Sequence, residues 1–265
     1  MEKNKGKVIL AGAGPGDAEL ITVKLQRRLG EADVIITDRL VNPDIISLNG
    51  KKDAIIILAG KQGYNDASVS QIEINQLIVT HALEGKTVLR LKGGDVAFFS
   101  NILDELQSVA EAGIEFEIIP GITAAAGASA YAGIPLTARG FSQGVQLLTF
   151  NPNSNYSSEK WKSLAHTNDT LVFYMAAKNI TDLAELLLRY TRKAQTPLAV
   201  IEQATTVHQQ VHITTLQNCA ADFAVKQFSS PSLVIVGDVV NLHKQFDWFK
   251  NNQETGSIFN ELVIK

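Results

Sequence analysis

The stretch VILAGAGPGD, from Val8 to Asp17, decides how the rest of the 265-residue sequence is read. A short apolar run at residues 8–11 leads into a turn rich in glycine, and an amphipathic segment follows at residues 17–29. This order of apolar run, glycine turn and amphipathic segment is typical of the first strand and helix of an α/β domain. We therefore predict a β-strand, a tight turn and a helix in this region, with Asp17 as the cap of the helix.

Nine further apolar runs continue the strand pattern, and amphipathic segments separate many of them. The predicted strands are residues 8–11, 34–37, 55–58, 88–91 and 116–119 in the first half, and 145–150, 170–175, 198–202, 210–214 and 233–236 in the second. Further helices are predicted at residues 70–83, 179–190 and 216–224. Strand and helix alternate in the first half, which predicts a mostly parallel sheet. The adjacent strands at 198–214 predict an antiparallel meander in the second half.

A change in amino-acid composition near residue 136 predicts a domain boundary. Proline, threonine, glycine and serine gather in PLTARGFSQG, residues 135–144, and such clusters mark loops between elements. We expect an N-terminal α/β domain at residues 1–136 and a C-terminal α/β domain at 137–246. Residues 247–265 are polar and interrupted by two asparagines and Gly256, so a loosely held tail is expected.

Composition excludes several classes of function. The sequence has 24 Lys and Arg against 27 Asp and Glu, a net charge of −3, whereas nonspecific nucleic-acid binders are usually basic. No apolar run approaches the roughly 20 residues that span a bilayer, so no membrane partner is expected. A single cysteine, Cys219, rules out an internal disulfide and a cysteine-rich metal site. We expect a cytoplasmic protein in a reducing compartment.

The first glycine turn does not match a dinucleotide fingerprint. That fingerprint needs a third glycine at the position that Asp17 occupies. Pro15 removes a backbone N–H from the turn, and the Asp17 carboxylate would lie where a phosphate should bind. Further glycine turns, at residues 92–95 and 120–124, also follow predicted parallel strands, so the three turns should line one crevice. Acids without a basic cluster favour a cationic or polar ligand there. A NAD(P)-dependent dehydrogenase remains an alternative that rests on the first turn alone.

Six blocks in the right order carry a resemblance to a known family: AGAGPGDAELIT, DRLV, RLKGGD, IIPGITAAAGASAYAGIPLTARG, LVFYMAAKN and VIEQATT. Over about residues 7–245 the sequence resembles the tetrapyrrole methylases, and among them the uroporphyrinogen-III C-methyltransferases. The resemblance implies two α/β domains with the active-site cleft between them, S-adenosylmethionine as methyl donor, and a homodimer. It also implies methylation of uroporphyrinogen III at C2 and C7, giving precorrin-2 for sirohaem or cobalamin. Another precorrin methyltransferase is the nearest alternative.

The resemblance assigns roles to individual residues. Asp38 matches the family's proton acceptor and Lys61 its proton donor; taken without the family, Asp38 would be read as an ion-pair partner of Arg39. The positions that match cofactor contacts are Pro15, Gly93, Gly94, Asp95, Phe98, Thr123, Ala124, Met175 and Ala204. The positions that match substrate contacts are Arg139, Asn101 and Asp104.

The sequence departs from the family at two of these substrate positions. Asn101 stands where the family usually has arginine, and Asp104 stands where it usually has glutamate. Because the implied substrate is rich in carboxylates, other cations would have to hold it, such as Arg39, Lys61 or Lys178. The sequence predicts no metal site: the histidines of the HQQVH stretch, residues 208–212, lie in a predicted turn and strand, where they would not converge on one ion.

Overall fold

The computed structural model describes residues 5–59, 70–153, 156–250 and 256–259. The chain divides into two compact units. The first holds the described residues up to Ala124 together with residues 257–259, and the second runs from Ala125 to Gly256. The division comes earlier than residue 136 because the helix that begins at Ala124 packs into the core of the second unit, with Val172 and Ile201.

The first unit is built on a five-stranded sheet in which every pairing is parallel. Its strands are β1 Lys7–Gly12, β2 Val34–Thr37, β3 Ile55–Leu58, β4 Thr87–Lys92 and β5 Glu115–Ile119. Their order across the sheet is β3-β2-β4-β1-β5. These pairings confirm the predicted parallel sheet. The physical reason is that a helix between two strands of one sheet carries the chain back across the sheet, so that the second strand runs parallel to the first.

Within the described residues, four α-helices cover this sheet: α1 Val23–Glu31, α2 Pro43–Asn49, α3 Gln71–Leu83 and α4 Ile102–Glu111. The single helix predicted at 17–29 is wrong. Asp17 caps a short 3-10 helix, Ala18–Leu20, and Thr22 caps α1 by accepting a hydrogen bond from Leu25 N at 3.1 Å. The extended backbone that a capping residue needs breaks the segment at Thr22.

Alternation along the strands sends side chains to the two faces of the first sheet. Ile9, Leu89 and Leu91 lie in the core on one face, and Val8 and Val88 lie in the core on the other. Because successive strand residues alternate, Arg90 and Lys92 share the face of Val88, on which α3 and α4 residues are also packed. Two charged side chains of β4 are therefore buried on this face of the sheet.

The second unit also has a five-stranded sheet, ordered β6-β7-β10-β8-β9. Its strands are β6 Val145–Thr149, β7 Thr170–Tyr174, β8 Pro197–Glu202, β9 Gln210–Thr215 and β10 Ser232–Val236. Among these strands β6 and β7 pair in parallel, and the other described pairings are antiparallel. The predicted meander at β8 and β9 is confirmed, and so are all ten predicted strands, with ends shifted by at most one residue.

The α-helices of the second unit are α5 Ala124–Tyr131, α6 Ser158–His166, α7 Ile180–Arg189, α8 Cys219–Asp222 and α9 His243–Phe246. The helix predicted at 216–224 is therefore shortened to one turn. Among the described residues, no helix has both the length and the apolarity to cross a membrane.

The described part of the C-terminal segment is held in place by aromatic contacts. The ring centroids of Trp248 and Phe249 lie 5.3 and 4.8 Å from that of Tyr131, and Trp248 Nε1 donates to Ala130 O at 2.8 Å. Phe259 is buried. The expectation of a loosely held tail is wrong for these residues, because it counted the polar residues and overlooked the aromatic ones between them.

Glu117 on β5 ties three segments of the first unit together. Its carboxylate lies 2.6 Å from Lys24 Nζ on α1, 2.9 Å from Lys7 Nζ on β1 and 3.0 Å from Arg28 Nε on α1. These hydrogen bonds, with that from Lys24 the strongest, lower the pKa of Glu117 to about 2.

Candidate functional site

Three glycine turns meet at the carboxyl edge of the first sheet. They are residues 12–17 after β1, 93–95 after β4 and 120–124 after β5; parallel strands place all three at the same edge. Gly14 N donates to Gly94 O at 3.0 Å, and Gly94 N donates to Gly14 O at 2.7 Å. The first and second of the predicted crevice-lining turns are thus joined directly by their backbones.

Close approach explains why glycine is needed in these turns. A Cβ at Gly121 would lie 2.3 Å from Gly94 O, and a Cβ at Gly12 would lie 2.5 Å from the same oxygen. Gly94 itself has a φ of 69°, in the left-handed region that glycine adopts without strain. At Gly12, Gly94 and Gly121 the three turns therefore meet backbone against backbone.

Asp95 holds two of the glycine turns together. Its Oδ2 accepts a hydrogen bond from Gly121 N at 2.6 Å, and its Oδ1 accepts one from Ala97 N at 2.9 Å. The side chain is 6% exposed. Both carboxylate oxygens are thus engaged by backbone N–H groups, which gives Asp95 a structural task besides the cofactor contact that the sequence predicts.

Asp38 follows β2 at the same edge, and its carboxylate is partly open, with 29% of the side chain exposed. Its backbone N donates to Leu91 O at 3.1 Å, and its Oδ1 accepts a hydrogen bond from Arg90 Nη2 at 2.5 Å. Arg39 is exposed and forms no ion pair with any described residue. The alternative reading that paired Asp38 with Arg39 is therefore wrong: the cation comes from the neighbouring strand β4.

Behind Asp38 lies a buried charge cluster formed by Asp38, Arg90, Lys92 and Glu105. Glu105 Oε1 accepts from Arg90 Nε at 2.9 Å and from Lys92 Nζ at 3.0 Å, and Lys92 Nζ lies 3.9 Å from Asp38 Oδ2. The side chains of Arg90 and Glu105 are 2% and 0% exposed. Burial lowers the pKa of Arg90, but Asp38 and Glu105 outweigh it and the pKa ends above its ordinary value.

Three members of this cluster, Arg90, Lys92 and Glu105, were not among the site residues predicted from the sequence. A signal for the two cations was available, because Arg90 and Lys92 alternate with Leu89 and Leu91 in a strand that should be buried on both faces. Buried charges require partners of opposite sign. Nothing local identifies Glu105 as the partner, since it reaches the cluster from α4, outside the strand.

The remaining predicted residues of the first unit lie near these turns. Phe98 is exposed and follows the Asp95 turn, Pro15 is buried, and Thr123 and Ala124 end the third turn. Asn101 precedes α4 with a φ of 53° and no side-chain capping bond, and Asp104 is exposed on the first turn of that helix. Lys61 lies outside the described residues.

Three predicted residues belong to the second unit. Met175 directly follows β7, is 65% exposed and has a φ of 58°. Ala204 follows β8 and is buried. Arg139 is exposed in a turn closed by two hydrogen bonds between Ala138 and Ser142. These positions at strand ends and in a turn do not test the predicted ligand contacts, which stay predictions.

The spaced histidine pair of the second unit is not arranged as a metal site. His212 Nε2 lies 2.6 Å from Glu202 Oε1, and its Nδ1 lies 2.8 Å from Lys226 Nζ. Across the part of the chain that the structure describes, no group of three or more His, Cys, Asp or Glu side chains could hold a metal ion.

Comparison with known proteins identifies relatives along most of the chain. Residues 7–220 match the model of the tetrapyrrole (corrin/porphyrin) methylases. The chain is 44% identical over 251 residues to siroheme synthase 1 of Pectobacterium atrosepticum and 44% identical over 249 residues to siroheme synthase of Pseudomonas putida. These matches cover 95% and 94% of the chain but 52% and 53% of the relatives, so the chain spans about half the length of those relatives.

Solved structures are similar over nearly their whole length. Uroporphyrin-III C-methyltransferase of Thermus thermophilus has a TM-score of 0.75 and 32% identity, covering 89% of this chain and 100% of that one. A structure of that enzyme with S-adenosylhomocysteine has a TM-score of 0.74 and 32% identity, covering 89% and 94%. A cobalt precorrin-4 methyltransferase has a TM-score of 0.79 and 25% identity, covering 88% and 95%.

Proposed function

The chain belongs to the tetrapyrrole methylase family, and from this premise we propose that it transfers methyl groups from S-adenosylmethionine to C2 and C7 of uroporphyrinogen III, giving precorrin-2. The observation that carries the proposal is the carboxyl edge of the first sheet. There a half-open carboxylate, Asp38, stands beside the glycine turns. The likeness to the Thermus thermophilus C-methyltransferase, which spans that whole chain, supports the choice of substrate.

The glycine turns fit S-adenosylmethionine better than a nucleoside triphosphate. Gly12, Gly94 and Gly121 meet there without side chains, and Gly93, Gly94 and Thr123 are only half-buried. Acidic Asp17 and Asp95 lie in these turns, and backbone N–H groups of Ala97 and Gly121 bind the Asp95 carboxylate. The cofactor's sulfonium supplies an electrophilic methyl group. Pro15, Gly93, Gly94, Asp95, Phe98, Thr123 and Ala124 would hold the cofactor, and Met175 and Ala204 stay predicted contacts.

Carbon methylation of a pyrrole ring ends with loss of a proton from the macrocycle, and Asp38 is the group we assign to take it. Arg90 donates to Oδ1, so the carboxylate is held in one orientation, while the exposed part of the side chain can reach a ligand. Asp95 keeps two of the turns at a fixed distance, so that bound reactants meet in one geometry. Lys61, the predicted proton donor, lies outside the described residues.

The assignment of substrate-binding residues rests on the family resemblance and on the exposure of their side chains. Arg139 is exposed and can offer a bidentate pair to a carboxylate. Asn101 and Asp104 are also exposed, but neither carries the positive charge that a substrate rich in carboxylates needs. We therefore assign the main anchoring role to Arg139.

Anaerobic incubation with uroporphyrinogen III and S-adenosylmethionine tests the proposed function. The expected product has gained two methyl groups by mass, and S-adenosylhomocysteine accumulates in proportion. An unchanged macrocycle, with a folded protein that binds S-adenosylhomocysteine, would refute the choice of substrate.

A second candidate is methylation of a later precorrin. The fold likeness to a cobalt precorrin-4 methyltransferase, with a TM-score of 0.79, favours it, as does the absence of arginine at residue 101. Methyl gain on a later precorrin alone, without gain on uroporphyrinogen III, would select this alternative.

The dehydrogenase alternative conflicts with the geometry of the first turn. The glycine turn is followed by a 3-10 helix capped by Asp17, so no α-helix N-terminus stands ready for a pyrophosphate. A thermal-shift comparison separates the two readings: S-adenosylhomocysteine should stabilise the protein and NADH should not.

Two further expectations, a homodimer and a cytoplasmic location, rest on the family resemblance and on cysteine usage. Light scattering of the purified protein would measure its oligomeric state. A mass of one chain, 28.7 kDa, would contradict the dimer.

A further inference from the structure

We infer that Glu105 is a positioning residue for the carboxylate of Asp38 and that it acts through Arg90 and Lys92. The inference rests on the proposed function, in which Asp38 takes the proton from the macrocycle. Neither the family resemblance nor the comparisons assign a role to any of the other three members of the buried charge cluster.

The hydrogen bonds run in sequence from α4 to the carboxyl edge. Glu105 accepts from Arg90 Nε at 2.9 Å, and the far side of the same guanidinium donates from Nη2 to Asp38 at 2.5 Å. Arg90 Nη1 donates to the backbone oxygens of Ile36 at 3.3 Å and Leu91 at 3.2 Å. All three nitrogens of the guanidinium are occupied, so its plane is fixed, and with it the oxygen of Asp38 that it contacts.

Charge balance explains why Glu105 is needed. Without it, two buried cations, Arg90 and Lys92, would face the single carboxylate of Asp38. Both would then be drawn to Asp38, and Lys92, now 3.9 Å from Asp38 Oδ2, could close on the oxygen that remains free for a ligand. Glu105 holds Lys92 at 3.0 Å instead. It therefore keeps one oxygen of Asp38 available.

Burial gives the arrangement its stiffness. Glu105 is 0% exposed on the core side of α4, one turn before Val109. A charged residue at such a position is expensive unless it is fully paired. Its Oε2 nevertheless has no hydrogen-bond partner among the described residues, so Oε1 alone carries both cations. Gln71 Nε2 of α3 also donates to Oε1, at 3.5 Å, so donors from β4 and α3 together hold that oxygen.

Glu105→Gln is the direct test, because glutamine keeps the shape and an acceptor oxygen but removes the charge. We expect kcat to fall roughly 10- to 100-fold, the cost of a displaced catalytic group, with unchanged KM for both reactants. Glu111→Gln, an exposed glutamate on the same helix, serves as the matched control and should leave kcat unchanged. Combined with Asp38→Asn, Glu105→Gln should lower kcat no further, since the group that it positions is already lost.

Several outcomes would overturn the inference. One is a wild-type kcat for Glu105→Gln. Another is a double variant whose fold-loss in kcat equals the product of the fold-losses of Glu105→Gln and Asp38→Asn. If Glu105→Gln does not fold, Lys92→Gln replaces it and should show the same non-additivity, with a smaller loss.

The proposed function can fail separately, and a measurement without turnover then decides. If the wild-type protein transfers no methyl group, the same double-mutant cycle is measured by urea unfolding. Coupling between Glu105→Gln and Asp38→Asn in the free energy of unfolding would support the positioning role, and strict additivity would overturn it.

Discussion

Replacing Asp95 by asparagine separates two roles that this residue could have. The family resemblance makes it a cofactor contact, whereas its two oxygens accept hydrogen bonds from Ala97 N and Gly121 N, at 2.9 and 2.6 Å. In Asp95→Asn one oxygen still accepts, but the amide NH2 faces a backbone N–H that can only donate. The variant therefore loses one charge-assisted bond and leaves a buried donor without an acceptor.

The expected cost follows from those two changes. A hydrogen bond to a charged group contributes about 1.5–3 kcal/mol, and an unsatisfied buried donor costs a similar amount, so the two overlap in one measured loss. We expect the free energy of unfolding of Asp95→Asn to be about 2–3 kcal/mol lower than that of the wild type, without any cofactor present. For a chain of this size the melting temperature should fall by roughly 4–12 °C.

Urea unfolding and calorimetry of the cofactor-free protein measure this loss, and titration with S-adenosylhomocysteine measures affinity. Asp44→Asn is the matched control: Asp44 is exposed in the first turn of α2 and should cost about 0.5 kcal/mol. If Asp95→Asn keeps its full stability and loses only affinity, Asp95 is a ligand contact and does not hold the turns together. If both stay unchanged, both roles are refuted.

Three other predictions follow from the described geometry. Gly121→Ala places a Cβ 2.3 Å from Gly94 O and should lower the free energy of unfolding by about 1–3 kcal/mol. Gly30→Ala, in α1, places a Cβ whose nearest neighbour is Asn49 O of α2, at 3.9 Å, and should raise the free energy of unfolding by about 0.5–1 kcal/mol. Equal effects of the two substitutions in urea unfolding would contradict the crowding argument. The pKa of Glu117 is lowered from about 4.5 to about 2, so the ionised carboxylate contributes fully to the free energy of unfolding above about pH 4.5, and this contribution is lost as the pH falls through 2. Glu117→Gln should lower the free energy of unfolding by about 1 kcal/mol at neutral pH and make it less dependent on pH in the acid range. An unchanged pH dependence in the acid range would refute the assignment. Arg139→Ala should raise the KM for the macrocycle roughly 10- to 100-fold without changing S-adenosylhomocysteine affinity, and an equal loss of both would contradict its substrate role.

The fold was predictable from the sequence because its information is local. Each strand is a short run of β-branched and apolar residues, and the parallel order of the first sheet follows from the helices between the strands. Helix starts were harder to predict. Thr22 breaks the segment after the first glycine turn, and α2 begins at Pro43 after a capping asparagine, within a stretch whose apolar residues are too few to show a period.

The site was only half predictable. Glycine turns at strand ends are visible in the sequence, but the partner of Asp38 depends on register, which places Ile36 of β2 opposite Arg90 of β4. Adjacency in the sequence instead predicted an ion pair between Asp38 and Arg39. Glu105 could not be predicted either, because its role also depends on packing between elements. It is adjacent in sequence to Asp104, which matches the family's substrate contact, yet Glu105 is buried and Asp104 is exposed.

The buried charge cluster also limits how a substrate rich in carboxylates can be held. Arg90 and Lys92 are already balanced by Asp38 and Glu105, so the cluster as a whole is neutral. Drawing either cation toward a substrate carboxylate would break one of the two ion pairs that balance Glu105 at 0% exposure, and breaking a buried ion pair is strongly destabilising. The anchors must therefore be exposed cations that no internal acid neutralises, and in the described part of the first sheet's carboxyl edge Arg39 is such a residue. We therefore predict that Arg39, the cation that adjacency in the sequence would pair with Asp38, contacts the substrate instead.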